Sequence, residues 1–289
     1  MKTIAIASGK GGTGKTTLST NLVYVMAQCG QNVVYADCDV EEPNGHLFLK
    51  PVIQSKKPVG MMVPQVHRER CVHCGQCGEI CAYSAIICLG SETLVFPEMC
   101  HSCGGCWLVC PEGAISQTLR KMGTVEKGHA GNVGFVQGTL DIGEAMSPPV
   151  IRAVKEEIPE ADWLIVDAPP GTSCPVIESI KGSDYVVLVT EPTPFGLHDL
   201  TLAVEMVRAL RYPFGVVINR ADFAFQDIWA YCQRQRIPIL AEIPDDRRIA
   251  EAYSQGKMIS AVQSDYAGVF RSIQALIEKE MESAKVGVS

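Results

Sequence analysis

The sequence lacks any long apolar run. No stretch approaches the roughly 18 consecutive apolar residues that a membrane-spanning helix needs, and the start, "MKTIAIAS", has too short an apolar part for a secretory signal. We therefore expect no integral membrane segment and a cytoplasmic location.

An excess of positive charge is also missing. The 25 lysines and arginines are outnumbered by 32 aspartates and glutamates, which gives a formal net charge of −7. Such a surface does not attract polyanions as a whole, so no nucleic-acid partner is expected. The C-terminal stretch "IQALIEKEMESAKVGVS" has three glutamates against two lysines. Membrane-surface helices are usually basic, so we interpret this stretch as a capping or frayed helix.

Cysteine, by contrast, is abundant. Thirteen cysteines in a chain with no export signal are not expected to form disulfides, because the cytosol keeps thiols reduced. Nine of the 13 lie between Cys71 and Cys110, and this crowding predicts a metal-binding insert. The 289 residues, 47% of them hydrophobic, suffice for one large core with a small satellite.

The N-terminal segment contains a phosphate-binding loop. "KTIAIA" predicts a short buried strand, "GKGGTGKT" from Gly9 to Thr16 matches G-x-x-x-x-G-K-[ST], and apolar residues at helical spacing follow as far as Gly30. In this context the loop N–H groups wrap the phosphates, Lys15 neutralises the β- and γ-phosphates, and Thr16 can hold Mg²⁺. The predicted ATP-binding residues of the loop are Gly9, Lys10, Gly11, Gly12, Thr13, Gly14, Lys15, Thr16 and Thr17.

Carboxylates follow two further apolar strands. "NVVYADCD" ends in Asp37 and Asp39, and "DWLIVDAPPGT" carries Asp167 where its strand ends. The strands "YVVLVT" and "FGVVINR" follow, separated by a stretch with helical periodicity. Alternating strands and helices predict an α/β fold, with a mostly parallel sheet flanked by helices and ligands at its carboxyl edge.

The segments "KGGTGKTT", "DCDVEEPN", "DAPPGT" and "VVINR" closely resemble the MinD/Mrp/ParA family of P-loop ATPases, which also includes the nitrogenase iron protein. The resemblance covers most of the chain outside the cysteine insert. It identifies Lys10 as the signature of a deviant Walker A loop and implies that this lysine reaches across a dimer to the phosphates held by the other subunit. The alternative is that Lys10 folds back onto its own phosphates.

The same resemblance implies the remaining site residues. Asp39 would orient or activate the attacking water, Asp167 would reach Mg²⁺ through water, and Asn219 would contact the adenine with Pro244 packed nearby. Asp37 is the alternative to Asp39 for the water-positioning role. The implied catalytic residues are Lys10, Lys15, Asp39 and Asp167, and the implied magnesium site is Thr16, Asp39 and Asp167.

Two cysteine runs, "CVHCGQCGEIC" and "CHSCGGCWLVCP", share the spacing C-x₂-C-x₂-C-x₃-C. Three closely spaced thiolates wrap one iron–sulfur cube, and the fourth reaches the other cube in two-cluster ferredoxins. Structural zinc sites have no use for a third close cysteine. We therefore assign one [4Fe–4S] cluster to Cys71, Cys74, Cys77 and Cys110, and a second to Cys81, Cys100, Cys103 and Cys106.

Residues 64–118 resemble bacterial two-cluster ferredoxins, with one departure, since Ala82 rather than proline follows Cys81. The surplus Cys88 is interpreted as a buried strand residue, with a stand-in ligand as the alternative. Cys174 is interpreted as a buried residue of a tight turn, although it could couple nucleotide state to redox chemistry. Cys29, Cys38 and Cys232 have no partners at metal-site spacing and are interpreted as packing residues.

The predicted organisation is a discontinuous ATPase domain, residues 1–62 and 120–289, with a small α+β ferredoxin-like insert at 63–119. We favour an ATP-dependent dimer, of identical chains or of two paralogues, that couples ATP state to electron transfer with a redox or cluster-accepting partner. An iron–sulfur carrier of the Mrp type and a MinD-like positioning ATPase are the alternatives. "SCPVIE" lacks the second cysteine of the C-P-x-C pair that Mrp-type relatives carry.

Overall fold

The computed structural model describes residues 1–222 and 225–286. Its central strands coincide with short runs of β-branched and apolar residues, whereas two long strands, residues 52–66 and 115–130, are mixed in composition. In chain order the strands are β1 (Lys2–Ala7), β2 (Val33–Asp37), β3 (Val52–Val66), β4 (Ile86–Leu89), β5 (Glu92–Val95), β6 (Ile115–Ala130), β7 (Val133–Leu140), β8 (Trp163–Asp167), β9 (Tyr185–Thr190), β10 (Phe214–Asn219) and β11 (Ile239–Ile243).

Nine of the strands in the described ranges form one sheet, in the order β11-β10-β9-β1-β8-β2-β7-β6-β3. The pairs from β11 to β7 are parallel, whereas β6 runs antiparallel to β7 and β3 antiparallel to β6. The carboxyl ends of β1, β2, β8, β9 and β10 therefore share one edge. The prediction of a mostly parallel sheet flanked by helices is confirmed.

Helices cover both faces of this sheet. They are α1 (Lys15–Gln28), α2 (Gly45–Leu49), α3 (Gln76–Glu79), α4 (Gly105–Leu108), α5 (Pro148–Glu156), α6 (Cys174–Ile180), α7 (Pro194–Ala209), α8 (Asp227–Gln235), α9 (Arg247–Ser254), α10 (Ile259–Val262) and α11 (Ser264–Val286). Helices α5 to α8 pack on one face and contribute to one apolar cluster, while α1, α10 and α11 pack on the other. Among the described helices, none has the length and apolarity to cross a bilayer.

The C-terminal segment differs from the expectation of a capping or frayed helix. Helix α11 packs along α1, and Phe270, Ile273, Ile277 and Met281 are buried in the core. These residues are spaced three and four apart and form one apolar stripe, which is the pattern of a core-packed helix. Glu278 and Glu280 are half-buried beside this stripe, and Glu282 is exposed.

The cysteine-rich segment stands at the end of a long two-stranded ribbon. Leu140, the last residue of β7, pairs with Gly123 of β6, and β6 and β3 remain paired beyond this point as far as Ile115 and Val66. The eight residues from Met122 back to Ile115 extend about 27 Å past the end of β7. Because β7 is parallel to β2, the ribbon leaves the sheet at the same edge as the phosphate loop. Both strands run across the predicted boundaries at 62/63 and 119/120.

Candidate functional site

The phosphate loop connects β1 to α1. Gly12 and Gly14 have φ angles of 78° and 99°, which only glycine adopts without strain. A Cβ on Gly14 would lie 2.5 Å from the Asn219 side-chain nitrogen, so a side chain here would clash with Asn219. Asn219 Nδ2 also donates a 2.9 Å hydrogen bond to the Thr13 carbonyl oxygen. The end of β10 therefore holds the loop in place.

Most of the predicted nucleotide residues line one cavity of about 430 Å³, a size that suits a small-molecule ligand. They are Gly11, Gly12, Gly14, Lys15, Thr16, Thr17, Asp39, Asn219 and Pro244. Gly9, Lys10, Thr13 and Asp167 do not line it. Gly9 packs instead against the backbone of Asp199 in α7, and Thr13 and Asp167 are buried beneath the surface.

Lys10 is turned away from this cavity. Its Nζ lies 2.5 Å from Glu191 Oε1, and the second carboxylate oxygen of Glu191 accepts a 3.2 Å hydrogen bond from Arg220. The side chain of Lys10 is 30% exposed and that of Glu191 12%. In this conformation the lysine therefore neutralises a carboxylate of its own chain and leaves Lys15 as the lysine that faces the cavity.

Two buried aspartates, Asp37 and Asp167, lie behind the phosphate loop. Tyr35 donates a 2.9 Å hydrogen bond to Asp167 Oδ2, and the backbone N–H groups of Gly45 and Asp39 donate to Asp37 at 2.9 and 3.2 Å. Burial raises the pKa of both Asp37 and Asp167. Asp37 therefore fixes the start of α2 and the backbone of Asp39, and does not face the cavity.

Lys15 and Asp39 are two of the charged residues that line the cavity, and each affects the pKa of the other. Burial lowers the pKa of Lys15, although the nearby carboxylates of Asp167, Asp39 and Asp37 oppose the shift. Burial also raises the pKa of Asp39 to about 6, and Lys15 opposes that shift. Oδ1 of Asp167 is buried and accepts no hydrogen bond from the described residues. An acceptor of this kind, next to a lysine and a hydroxyl-bearing loop, fits a hydrated Mg²⁺ ion.

The predicted cluster ligands line two separate cavities. One is lined by Cys71, Cys74, Cys77 and Cys110, and the other by Cys81, Cys100, Cys103 and Cys106. The fourth cysteine of each run thus lies with the first three of the other run.

The two runs have the same backbone conformation at an offset of 29 residues. His73 and Ser102 have φ angles of 56° and 55°, and Gly75 and Gly104 have φ angles of 84° and 85°. The amide nitrogens of Ala85 and Ala114 donate to the sulfurs of Cys81 and Cys110 at 3.3 and 3.2 Å. Amide N–H groups aimed at sulfur stabilise thiolate ligands, so the donor set suits a thiolate-bound group in each cavity.

In residues 1–222 and 225–286, no three His, Cys, Asp or Glu side chains converge on one point as a single metal ion requires. Four cysteines that hold the corners of a cube surround a larger group and remain further apart. Each of the two cavities is lined by four cysteines without such a convergence.

The remaining cysteines only partly match their interpretation. Cys38 and Cys232 are buried, as expected of packing residues, and Cys88 lies half-buried in β4. Cys174 is exposed, because it is the first residue of α6 and not part of a closed turn, and Cys29 is exposed at the end of α1. The interpretation of these two as buried residues is wrong.

Three site residues escaped sequence reasoning: Tyr35, Glu191 and Arg220. Glu191 and Arg220 directly follow β9 and β10, so the rule that polar residues after parallel strands meet at one edge could have found them. Tyr35 lies two residues before Asp37 and faces the same side of β2. Its hydrogen bond goes to Asp167 at the end of β8, and a contact between two distant strands cannot be predicted from the sequence around Tyr35.

A glycine loop between a strand and a helix, at the carboxyl edge of a parallel sheet and beside buried carboxylates, defines a P-loop nucleotide-binding protein. The family model described as "CobQ/CobB/MinD/ParA nucleotide binding domain" matches residues 4–259. The chain belongs to this family.

Individual relatives agree with this assignment. An uncharacterized protein of Methanocaldococcus jannaschii is 31% identical over 221 residues, 75% of this chain and 77% of the relative. A protein of Pyrococcus horikoshii named iron–sulfur cluster carrier protein is 24% identical and covers 98% of this chain and 86% of its own length. The Mg-ADP complex of the septum site-determining protein MinD from Pyrococcus horikoshii superposes with a TM-score of 0.57 at 21% identity, covering 98% of this chain and 95% of that one. This last similarity confirms the fold.

Proposed function

We propose that this protein binds and hydrolyses Mg-ATP, dimerises when ATP is bound, and couples its ATP state to electron transfer through two [4Fe–4S] clusters. One observation carries the proposal. The ribbon that bears two four-cysteine cavities leaves the sheet at the same edge as the nucleotide cavity. A change in geometry at that edge can therefore reach the cysteines through one continuous pair of strands.

Hydrolysis would use residues at the cavity wall together with Asp167, which is buried behind it. Lys15 neutralises charge on the phosphates, Thr16 and Asp167 hold Mg²⁺ directly or through water, and Asp39 orients the attacking water. Phosphoryl transfer needs mainly positioning and charge neutralisation, so this set suffices. Asn219 and Pro244 are proposed to contact the base, since both line the cavity together with the phosphate loop.

The cysteine cavities would each hold one cluster in a ferredoxin-like domain at residues 63–119. When bound, the clusters supply one-electron chemistry. The chain's own contribution is to hold the thiolates, donate N–H groups to their sulfurs and exclude water. Cys77 and Cys106 are buried, whereas Cys74 and Cys103 are exposed, so one side of each cavity is open to a redox or cluster-accepting partner.

The dimer would form through the carboxyl edge. Lys10 follows β1 at this edge, and two exposed apolar side chains follow other strands of the same sheet: Phe195 after β9 is 78% exposed, and Ile142 after β7 is fully exposed. Exposed apolar groups around a charged site favour burial against another protein surface. A second copy of this chain, or a paralogue, would bring its bound phosphates to Lys10.

Cluster delivery is the second candidate function. The relative named iron–sulfur cluster carrier protein and the exposed Cys74 and Cys103 favour it. Against it, Cys174 has no second cysteine of a C-P-x-C pair.

Redox titration separates the two candidates. The anaerobic protein with about eight irons per chain is titrated with and without a non-hydrolysable ATP analogue. The electron-transfer proposal expects the analogue to shift the cluster midpoint potentials or their accessibility to chelators. Unchanged potentials and accessibility, together with transfer of iron and sulfide to an apo-protein acceptor, would favour the carrier.

A further inference from the structure

Lys10 is held by a carboxylate that also binds a second cation. Glu191 Oε1 pairs with Lys10, and Glu191 Oε2 accepts the hydrogen bond of Arg220. The guanidinium of Arg220 lies 3.9 Å from Asp245 as well, and both residues line the nucleotide cavity. Glu191 thus has two counter-ions, one on each oxygen.

The backbone around this pair is fixed on both sides. Ser8 Oγ donates a 2.6 Å hydrogen bond to the Lys10 carbonyl oxygen, and Gly9 packs against α7. On the other side, the Thr193 N–H donates to the Glu191 carbonyl oxygen at 2.8 Å, and the Thr193 hydroxyl caps α7 by accepting from Gly196 N–H at 2.9 Å. Only the side chains of Lys10 and Glu191 are free to separate.

We propose that Glu191 is a positioning residue that retains Lys10 in the single chain and releases it when a second copy with bound ATP arrives. This inference rests on the proposed cross-dimer role of Lys10. In the single chain, Glu191 keeps the lysine off its own phosphates. In the dimer, the triphosphate of the other copy replaces Glu191 as the counter-ion of Lys10.

Arg220 makes this exchange feasible. A half-buried carboxylate left without any counter-ion would oppose the release of Lys10. Because Arg220 already binds the other oxygen of Glu191, the carboxylate keeps one cation after Lys10 leaves. The Lys10–Glu191 pair is partly exposed and therefore weak enough to break.

The exchange predicts opposite effects for two substitutions. Glu191→Gln removes the competing charge, and two pairs break per dimer, so the dimer dissociation constant with a non-hydrolysable ATP analogue should fall about fivefold to thirtyfold. Arg220→Gln removes the remaining counter-ion, so at saturating analogue the dissociation constant should rise. Glu157→Gln is the matched control, because it breaks the exposed 2.6 Å pair with Lys57 far from the loop.

Two readouts on the full chain test the proposal. The first is the labelling rate of Lys10 by an amine-reactive reagent in the nucleotide-free protein, located by peptide mass spectrometry. The second is dimerisation followed by sedimentation. Glu191→Gln should accelerate labelling and tighten the dimer, Glu191→Asp should lie closer to the parent chain, and Glu157→Gln should change neither. Unchanged labelling, or faster labelling with an unchanged dimer constant, would overturn the role of Glu191.

Lys10→Ala distinguishes a failure of the proposed dimer mechanism from a failure of the inference about Glu191. If Lys10→Ala dimerises as well as the parent chain, Lys10 has no cross-dimer role, and the proposed dimer mechanism and the release of Lys10 are both wrong. If Lys10→Ala loses dimerisation while Glu191→Gln has no effect on it, the dimer mechanism stands and only the inference about Glu191 is wrong. In the Lys10→Ala background, Glu191→Gln should no longer change the dimer constant.

Discussion

The pKa of Asp39 makes the stability of the nucleotide-free protein depend on pH. Its pKa is raised from the ordinary 3.8 to about 6, first because of burial. A carboxyl whose pKa is higher in the folded than in the unfolded chain binds protons more tightly when folded. Its ionisation therefore destabilises the nucleotide-free protein, and this cost grows as pH rises through 3.8 and is complete above about 6.

Asp39→Asn should remove that cost. In urea unfolding without nucleotide or Mg²⁺, we expect the variant to exceed the parent chain by about 1–3 kcal/mol at pH 7.5, after discounting for partial exposure. The difference should shrink towards zero near pH 3, where Asp39 is largely protonated in both states. A stability difference that is independent of pH would show that burial does not govern this carboxyl.

Lys15 is the only lysine that lines the nucleotide cavity in the described part of the chain. Lys15→Ala should lower the rate of ATP hydrolysis about 100-fold or more, because it removes the main positive charge on the transferring phosphoryl group. Mg²⁺-dependent phosphate release measures this. Lys121→Ala, which breaks only an exposed pair with Asp141, is the control. Equal loss in both variants would point to a general structural effect.

At the scale of elements, the two cysteine runs form a pair related by an offset of 29 residues. Cys81 lies with the second run in one cavity, so Cys81→Ser should lose the cluster of Cys100, Cys103 and Cys106 and retain the other. Iron analysis with electron paramagnetic resonance of the reduced protein measures this. Cys88→Ser, in the same segment but lining neither of the two cysteine cavities, should retain both clusters. Selective loss of the first-run cluster in Cys81→Ser would contradict the crossed arrangement.

The sequence predicted the elements whose signal is local. "KTIAIA", "DWLIVD" and "YVVLVT" became β1, β8 and β9 within a residue, because each is a short run of buried residues between polar ones. The ribbon of β3 and β6 was not predicted. Its strands mix lysines, glycines and methionines, since much of the ribbon is exposed and, from Ile115 to Met122, β6 pairs with β3 alone. The pair of Lys10 and Glu191 escaped for a similar reason, since 181 residues separate its members.

At the scale of the whole molecule, the stability of the two parts is unequal. The sheet is covered by two large apolar clusters, whereas the cysteine segment contributes only two small ones. The buried members of these are few: Val63, Cys77, Ala85, Ile86, Cys100, Cys106 and Ile115. Since cysteines supply much of this packing, the proposed clusters would stabilise the segment when bound.

Removing the clusters should therefore unfold one part and spare the other. In cluster-free protein, we expect amide hydrogens of residues 71–114 to exchange about 100-fold or more faster than in the loaded protein, because the small apolar clusters cannot offset the entropy of ordering the segment. The amides of β1, β8 and β9 should remain protected, and the affinity for ADP should change less than about threefold, because no cysteine of either run lines the nucleotide cavity. Hydrogen exchange measured by mass spectrometry, beside calorimetric titration with Mg-ADP, tests both statements on the full chain. Loss of protection throughout the sheet would show that the two parts fold as one unit, whereas full protection of residues 71–114 would show that the ribbon stabilises the cysteine segment without any cluster.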